Sequence, residues 1–421
     1  MINYIKLSYQ IKRKLSTFSK KISKNISRPK YKFMFQMMYG FLESNSILLS
    51  NIARALKEDI LLKKTIERLS RNLSSFNETD QLVENYINTI QSLINDNTIF
   101  CIDGSEITKP NSKVLEDMGT VRDGSTGETN VNGYNILEIA ALTNKHDMPI
   151  SVYSKIYSNV CKDFKSENTE TLKALDFIRT HFGNIGIEAL DRGYDNNLFY
   201  EYFTNNNEKF VIRAKRNRDV IYNGKVINIF KLANKYKGKY VTTVKNKAGK
   251  AKKCKFSHIP IALPAMPDKK LTLVIIRGFG KIPMMLITNL NPTDKRLSIA
   301  ILKVYLKRWK IEEYFRFKKQ QFDFENIRVR SLNSISTINL LLSITIGFIG
   351  MLSQKRKESI LVMFILKISK RIYDIPKFNY YALSDGIYTI LQKTKTGIKN
   401  FIKPIFRNKG SQQLLIANAF L

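Results

Sequence analysis

Acid is what this chain has too little of. Its 421 residues carry 35 Asp+Glu against 70 Lys+Arg, a formal net charge of +35 at pH 7. So large an excess repels itself in a compact state and calls for a polyanion or counterions. Nucleic acid is the first candidate partner, because every phosphate neutralised releases condensed counterions and adds affinity. An anionic membrane surface is the alternative, but no isolated basic amphipathic helix dominates the chain. Cysteine is scarce as well. Cys101, Cys161 and Cys254 are odd in number and far apart, which excludes a disulfide framework or a spaced zinc site and suits a reducing, cytoplasmic, nucleoid-associated setting. His146, His181 and His258 also lack ligand spacing. Long hydrophobic runs are missing: the most apolar stretch, Ile338–Leu352, is interrupted by Asn339, Ser343 and Thr345. It falls short of the ~20 residues a membrane helix needs and reads as a buried helix, so no membrane association is expected. With no apolar run at the start, secretion is not expected either. Wholesale disorder is excluded by a hydrophobic content of 43%.

What is present divides the chain. Residues 1–33 hold ten Lys/Arg and no acid, the composition of a phosphate-gripping arm or of an organellar transit peptide. The arm is preferred, since the body without those ten charges is still strongly basic. Residues 34–96 read as a helical DNA-binding domain. Ile47, Leu48, Ile52 and Leu56 make one apolar stripe and Leu62, Ile66, Leu69 and Leu73 another. The second carries Lys63, Lys64, Arg68 and Arg71, so the pair resembles a helix-turn-helix, with an ordinary bundle and a solvated basic face as the competing interpretation.

From residue 97 the texture becomes α/β. Thr98–Ile102 reads as a short strand stopping at Asp103-Gly104, followed by strands at Tyr134–Thr143 and Pro149–Tyr157. A helix over 169–182, strand Ile185–Leu190, a helix near Asn197–Phe203 and strand Phe210–Ala214 complete the order of a ribonuclease-H-like mixed sheet. Residues 97–215 are thus the first part of a core. A basic β-rich insertion follows over 216–293, where Arg216–Lys255 holds thirteen Lys/Arg and one acid, Asp219. One continuous helix is expected over Asp294–Gln321, inside a second core part at 294–335, and a helical region over 336–421 breaks at Pro376, Gly397 and Pro404.

That helix holds the most specific pattern. Tyr305, Arg308, Glu312 and Lys319 lie at offsets 0, 3, 7 and 14, which at ~100° per residue puts all four within about 60° of one face. A carboxylate between two cations and a phenol suits phosphate handling, the glutamate taking a metal and the cations taking phosphate oxygens. A solvated face with i,i+4 charge pairs would look the same. Glu313, ~100° round the helix, competes with Glu312; Trp309 and Arg316 are further candidate DNA contacts. Asp103 and Asp191 each follow an apolar strand, where sheet ends present side chains to a cleft. Either could instead sit in a turn, Asp-Gly being a favoured turn dipeptide. Three such carboxylates offer the hard oxygen ligands that magnesium, or alternatively manganese, prefers.

The spacing Tyr305-x2-Arg308-x3-Glu312-x6-Lys319 resembles the Tyr-Arg-Glu-Lys signature of DDE-type insertion-sequence transposases, specifically the insertion-sequence-four family. DRGYD at 191–195 resembles that family's second-aspartate block and IDGSEITKP at 102–110 its first; the resemblance spans about residues 97–335. It implies a ribonuclease-H-like core interrupted by a β-rich insertion, with Asp103, Asp191 and Glu312 as ligands of two magnesium ions. It implies Tyr305, Arg308 and Lys319 on phosphates near a transposon terminus. It further implies cleavage at the element's terminal inverted repeats, attack of the freed 3′-hydroxyl on target DNA, and a homodimer pairing two ends. The alternatives are a catalytically silent DNA-binding derivative and a stand-alone metal-dependent nuclease. In one respect the chain departs from the family. Members that excise through a DNA hairpin stack a flipped base on an indole in the insertion, whereas the one tryptophan here is Trp309. Phe279 and Met284 are the residues weighed as substitutes.

Overall fold

The computed structural model describes residues 2–143, 148–245, 251–355, 359–371, 374–394 and 396–398; His146, Pro404 and the tail beyond 398 lie outside them. Five helices come first: α1 (Tyr4–Ile22), α2 (Arg28–Ser44), α3 (Leu49–Leu56), α4 (Leu62–Ser74) and α5 (Thr79–Ile90). Next come β1 (Ile99–Thr108), β2 (Gly119–Val121), β3 (Val131–Leu142), β4 (Pro149–Tyr157), α6 (Glu167–Phe182), β5 (Ile187–Leu190), α7 (Asn197–Asn205) and β6 (Phe210–Arg213). Then follow β7 (Asp219–Tyr222), β8 (Lys225–Asn228), α8 (Ile229–Lys235), β9 (Tyr240–Lys245), β10 (Ala251–Leu263), β11 (Met266–Arg277) and β12 (Met284–Thr288). The last described elements are α9 (Lys295–Lys307), α10 (Lys310–Phe322), α11 (Leu332–Gln354), α12 (Ile360–Ile368) and α13 (Tyr380–Thr394).

The chain divides into two compact units, one containing residues up to 89, 109–118 and from 316 on, the other residues 90–108 and 119–315. The first unit is helical. Residues 1–33, expected as a basic arm, supply α1 and the start of α2. Leu7, Ile11, Leu15, Phe18 and Ile22 recur at helical spacing and are buried, while Lys6, Arg13, Lys14, Lys20 and Lys21 stay exposed. Asn3 caps the helix by accepting from the Lys6 amide at 3.0 Å. Lys12 falls on the apolar side and is buried, donating to Thr396 Oγ1 at 2.7 Å and the Gly397 carbonyl at 2.6 Å. Burial lowers its pKa to about 8 against the pull of Glu43. Helix α2 is buried nearly all round, and at Gly40 a Cβ would stand 2.4 Å from Ile52 Cγ2, so only glycine permits the close approach of α3. Helix α11 is long and apolar enough to cross a membrane by composition, yet 83% of its apolar window is buried inside the protein.

The second unit is built on a mixed sheet with twelve strands among the described residues. Its first half runs β4-β3-β1-β5-β6, with β1, β3 and β4 antiparallel and β1, β5 and β6 parallel. This is the ribonuclease-H-like order expected from the sequence. Residues Phe100, Ile102, Ile139, Ala189, Leu190 and Val211 fill its centre. Helix α6 packs Phe182 on Phe100, and α7 packs Phe203 on Phe210 at 5.3 Å between rings. Ser166 and Asn196 cap these two helices. The insertion is not a separate sheet: β12 pairs antiparallel with β6, β11 with β12, and β10 with β11.

Candidate active site

Asp103 does not end its strand. Strand β1 continues to Thr108 because β3 pairs with it throughout, Asp103 facing Glu138 and Gly104 facing Leu137. The Asp-Gly turn is therefore excluded by a partner strand distant in sequence. The parallel partner β5 does stop: Ile102 is in register with Leu190, and the next residues on the two strands are Asp103 and Asp191. Two adjacent parallel strands thus deliver the aspartates side by side where their pairing ends, a position at which such sheets open a cleft.

The expected single helix over 294–321 is two, α9 and α10, joined by a tight turn at Arg308-Trp309. Arg308 N donates to the Tyr305 carbonyl at 3.1 Å and Ile311 N to the Arg308 carbonyl at 3.0 Å, the i→i+3 bonds of a 3₁₀ turn. Asp294 caps α9 through the Leu297 amide at 2.9 Å. The turn aims the Arg308 guanidinium at the sheet. Its Nη1 donates to Asp103 Oδ2 at 2.8 Å and its Nη2 to Glu312 Oε1 at 2.9 Å. Tyr305, 1% exposed, donates its hydroxyl to Asp191 Oδ1 at 2.9 Å. Asp103, Asp191, Tyr305, Arg308 and Glu312 therefore form one cluster.

Its electrostatics follow from burial and from one cation among three carboxylates. Burial, reinforced by Asp191 and Glu312 and opposed by Arg308, pushes the Asp103 carboxyl up to about 6. Burial also works against the Asp191 carboxylate, but Arg308, the Arg192 amide, Tyr305 and Arg213 outweigh it and hold the pKa below the ordinary value. The Tyr305 phenol is pushed up to about 12, by burial first and then by Asp191. Arg308 is held charged: burial disfavours the cation, but Asp103, Asp191 and Glu312 more than compensate.

The other candidates lie elsewhere. Glu313 turns from the cluster to Lys310, 2.9 Å away. Lys319, in the last turn of α10, pairs with Glu325 at 3.0 Å. Trp309 is half-buried in the connecting turn and Arg316 is exposed. On α4, Lys63 and Lys64 are exposed, Lys64 3.4 Å from Glu67, and Arg71 is also exposed. Arg68 is spent inside its own unit, donating to Gln36 Oε1 at 2.6 Å and to Glu58 Oε2 at 2.5 Å.

Several neighbours went unnoticed in the sequence. Arg213, the last residue of β6, acts on both Asp191 and Tyr305. Glu138, across from Asp103, is fully buried and accepts hydrogen bonds from Ser151 and Ser154. Beside Asp191 opens a cavity of about 500 Å³ whose walls include Arg192, Arg213, Lys215, Arg216 and Met285. Only a strand end gave a hint of Arg213, one basic residue among many. Glu138 looked like an ordinary strand residue.

Could this cluster hold a metal? Its donors are the hard oxygens that divalent magnesium or manganese prefers, and they already balance one cation, so the donor chemistry fits. Among the described residues, however, no three His, Cys, Asp or Glu side chains are gathered closely enough to hold an ion as they stand; the Arg308 guanidinium stands among them instead.

Residues 94–347 match the family described as "Transposase DDE domain". The chain belongs to that family. The matched span takes in all three carboxylates of the cluster, and membership makes the chain a DNA transposase of the DDE type. No curated protein matches it. Among solved structures it is similar to a piggyBac transposase in a synaptic complex with hairpin DNA, at 8% identity and a TM-score of 0.46 over 99% of this chain and 85% of that one. It is also similar to the NurA nuclease from Sulfolobus solfataricus, at 11% identity and a TM-score of 0.26 over 58% of this chain and 82% of that one. Likenesses this distant assign no residue a role.

Proposed function

We propose that this transposase-family chain acts on its own insertion sequence, as the insertion-sequence-four signature suggests. It binds the terminal inverted repeats, cuts at the ends and joins the freed 3′-hydroxyls to target DNA. The observation that carries the reading is the convergence of Asp103, Asp191 and Glu312 on Arg308. Two divalent ions held by those carboxylates would supply activation of the attacking oxygen and stabilisation of the leaving oxygen in an in-line displacement. The protein's own groups position the rest. Tyr305 holds the Asp191 carboxylate in place through its hydroxyl. Arg308, with two parallel donors, takes phosphate oxygens once the carboxylates find another counter-charge. Arg192, Arg213, Lys215 and Arg216 offer cations to the flanking strand phosphates, and Lys319 a further one. In the first step water attacks the phosphodiester and the 3′-oxygen leaves. In the second that 3′-oxygen attacks a target phosphodiester and displaces its 3′-oxygen.

The first unit offers a surface of its own for duplex DNA. Lys6, Arg13, Lys14 and Lys21 on α1, with Lys355 at the end of α11, line a cleft of about 870 Å³ that, among the described residues, no acidic side chain lines. A homodimer pairing two ends completes the reading, in a cytoplasmic, nucleoid-associated setting. One observation favours a second reading, a silent DNA-binding derivative: the carboxylates are not gathered for an ion as they stand.

The deciding experiment is magnesium-dependent cleavage of a plasmid carrying the element's ends, wild type beside Glu312→Ala. Loss of cutting by at least about 10²–10³-fold, the scale for removing a group that stabilises transition-state charge, with end binding kept and joined products from the wild type, is expected. Binding without cutting by either protein establishes the silent reading instead.

A further inference from the structure

The second acid of the DRGYD block, Asp195, lies beyond the carboxylate cluster and is buried, its side chain fully enclosed. A carboxylate removed from water survives only where donors surround it, and three do. Tyr200 donates its hydroxyl to Oδ1 at 2.8 Å, the Lys215 amide donates to Oδ2 at 2.5 Å, and Arg218 lies against it as an ion pair. Each donor is itself fixed. Tyr200, buried on α7, packs edge-on against Phe210 at 5.7 Å. Arg218 lies over the Tyr200 ring at 5.1 Å and donates to Asn197 Oδ1 at 2.9 Å. The backbone around Arg218 is pinned too, its carbonyl accepting from the Ile229 amide at 2.8 Å.

Two chain segments meet in this knot. One is the short 3₁₀ turn Arg192–Tyr194, whose first flank is Asp191 and whose second is Asp195. The other is the stretch leaving β6 for the insertion, residues 214–218. Asp191 continues β5 at one end of the turn, so its backbone is set on that side by the sheet. At the other end, where Asn196 caps α7 and Tyr194 packs on Phe199, Asp195 is the residue that ties the turn to residues 215 and 218.

We infer that Asp195 is a positioning residue: its buried carboxylate clamps the Asp191 turn to the root of the insertion and so fixes Asp191 and the Arg213–Arg216 wall of the cavity relative to one another. The inference rests on the reading that Asp191 is catalytic. Asp195 itself coordinates nothing in this role, because both its oxygens are occupied by protein donors. A pair of outer groups that orient a ligand typically changes metal affinity or activity by 10–100-fold when removed.

The test uses the full-length protein, plasmid cleavage for kcat and KM, and calorimetric titration with magnesium alone. Asp195→Ala is expected to lower kcat and magnesium affinity by about 10–100-fold with little change in KM for DNA. Asp195→Asn, which still accepts from the Lys215 amide, is expected to recover most of both. Tyr200→Phe removes one donor and leaves the rest, so it reports the clamp even where Asp195→Ala fails to fold. A several-fold drop in its kcat with KM unchanged supports the inference, and an unchanged kcat overturns it. Asp195→Asn as devoid of magnesium binding as Asp191→Asn also overturns it, making Asp195 a direct ligand. A folded Asp195→Ala with wild-type kcat and affinity, beside an inactive Asp191→Asn, sinks the clamp alone. Full activity in Asp191→Asn sinks the catalytic reading itself.

Discussion

Charge is handled in opposite ways in the carboxylate cluster and along α1. In the cluster every charge has a partner: Arg308 between Asp103 and Glu312, Tyr305 on Asp191. Along the α1 cleft, Lys6, Arg13, Lys14, Lys21 and Lys355 share a wall with no acidic side chain among the described residues. Burial, with Lys355 and Arg13 close by, lowers the Lys14 pKa. Pairing holds a geometry at some cost in desolvation, whereas like charges left together store a repulsion that only an incoming anion relieves. The first arrangement suits a site that must be correct before the substrate arrives. The second suits a surface whose work is to recruit it.

Removing the shared cation should break the comparison most severely. Arg308→Ala leaves partly buried carboxylates facing each other, a change that costs about 3–5 kcal/mol when such a pair is fully enclosed. Asp103 and Glu312 keep some access to water, so a loss at or below the lower end is expected by denaturant titration. Cleavage should fall with it, and an unaltered midpoint would show that the pairing contributes nothing. The next effect is on pH. Asp103 titrates near 6 in the fold against an ordinary value near 4. Raised carboxyls cost stability as pH rises through that window and nothing below it. On the proposed reading Asp103 holds a metal only in its charged form, so activity at limiting magnesium should fall as pH drops below about 6. Raising magnesium should move that limb to lower pH, and a pH–rate profile flat from 5 to 7 would refute it.

Along the α1 cleft the expected change is in salt dependence rather than catalysis. Each phosphate contact contributes about 0.9 to the slope of log affinity against log salt. Changing Lys6, Arg13 and Lys21 to alanine should therefore flatten the slope by between two and three while the rate at saturating DNA stays put. An unchanged slope moves the duplex off this cleft. The smallest effect belongs to α4. Lys64→Ala removes an exposed i,i+3 pair with Glu67, worth about 0.2–0.5 kcal/mol in a helix. Arg68→Ala, which breaks contacts with Glu58 and Gln36, should be the more destabilising of the two in thermal melts.

Strand order was legible because alternation and apolar runs are local signals; β3, β4, β5 and β6 fall close to where periodicity places them. What escaped was set by partners far away in sequence. Strand β1 passes straight through Asp103-Gly104, a dipeptide that alone favours a turn, because β3 pairs with it to the end. The turn between α9 and α10 has neither proline nor glycine to announce it; tertiary contacts of Arg308 accompany it instead. Helix α1 is a different case. Its apolar stripe at 7, 11, 15, 18 and 22 has helical spacing, but it is masked in composition by the ten Lys/Arg of the segment. Of the candidate site, spacing pointed to Tyr305, Arg308 and Glu312 and strand ends to Asp103 and Asp191, which meet in one cluster; Lys319, on the same spacing, pairs with Glu325 instead, and Glu138 and Asp195 carried no local sign of their surroundings.

The pairing of β12 with β6 has a consequence for how such a protein can change. Leu286 lies opposite Arg213 and Thr288 opposite Val211, so everything between is topologically an overgrown hairpin, leaving the central sheet and returning one strand's width away. Beyond its root, which Asp195 holds at residues 215 and 218, and its tie to α9 through His258 and Ser298, such a detour places few demands on the scaffold that hosts it. It can be lengthened, trimmed or exchanged for another excursion while α9 and α10 still begin from the same place. The outer part of the excursion is thereby separated from the strand ends that carry Asp103 and Asp191, and its surface can change without redrawing them.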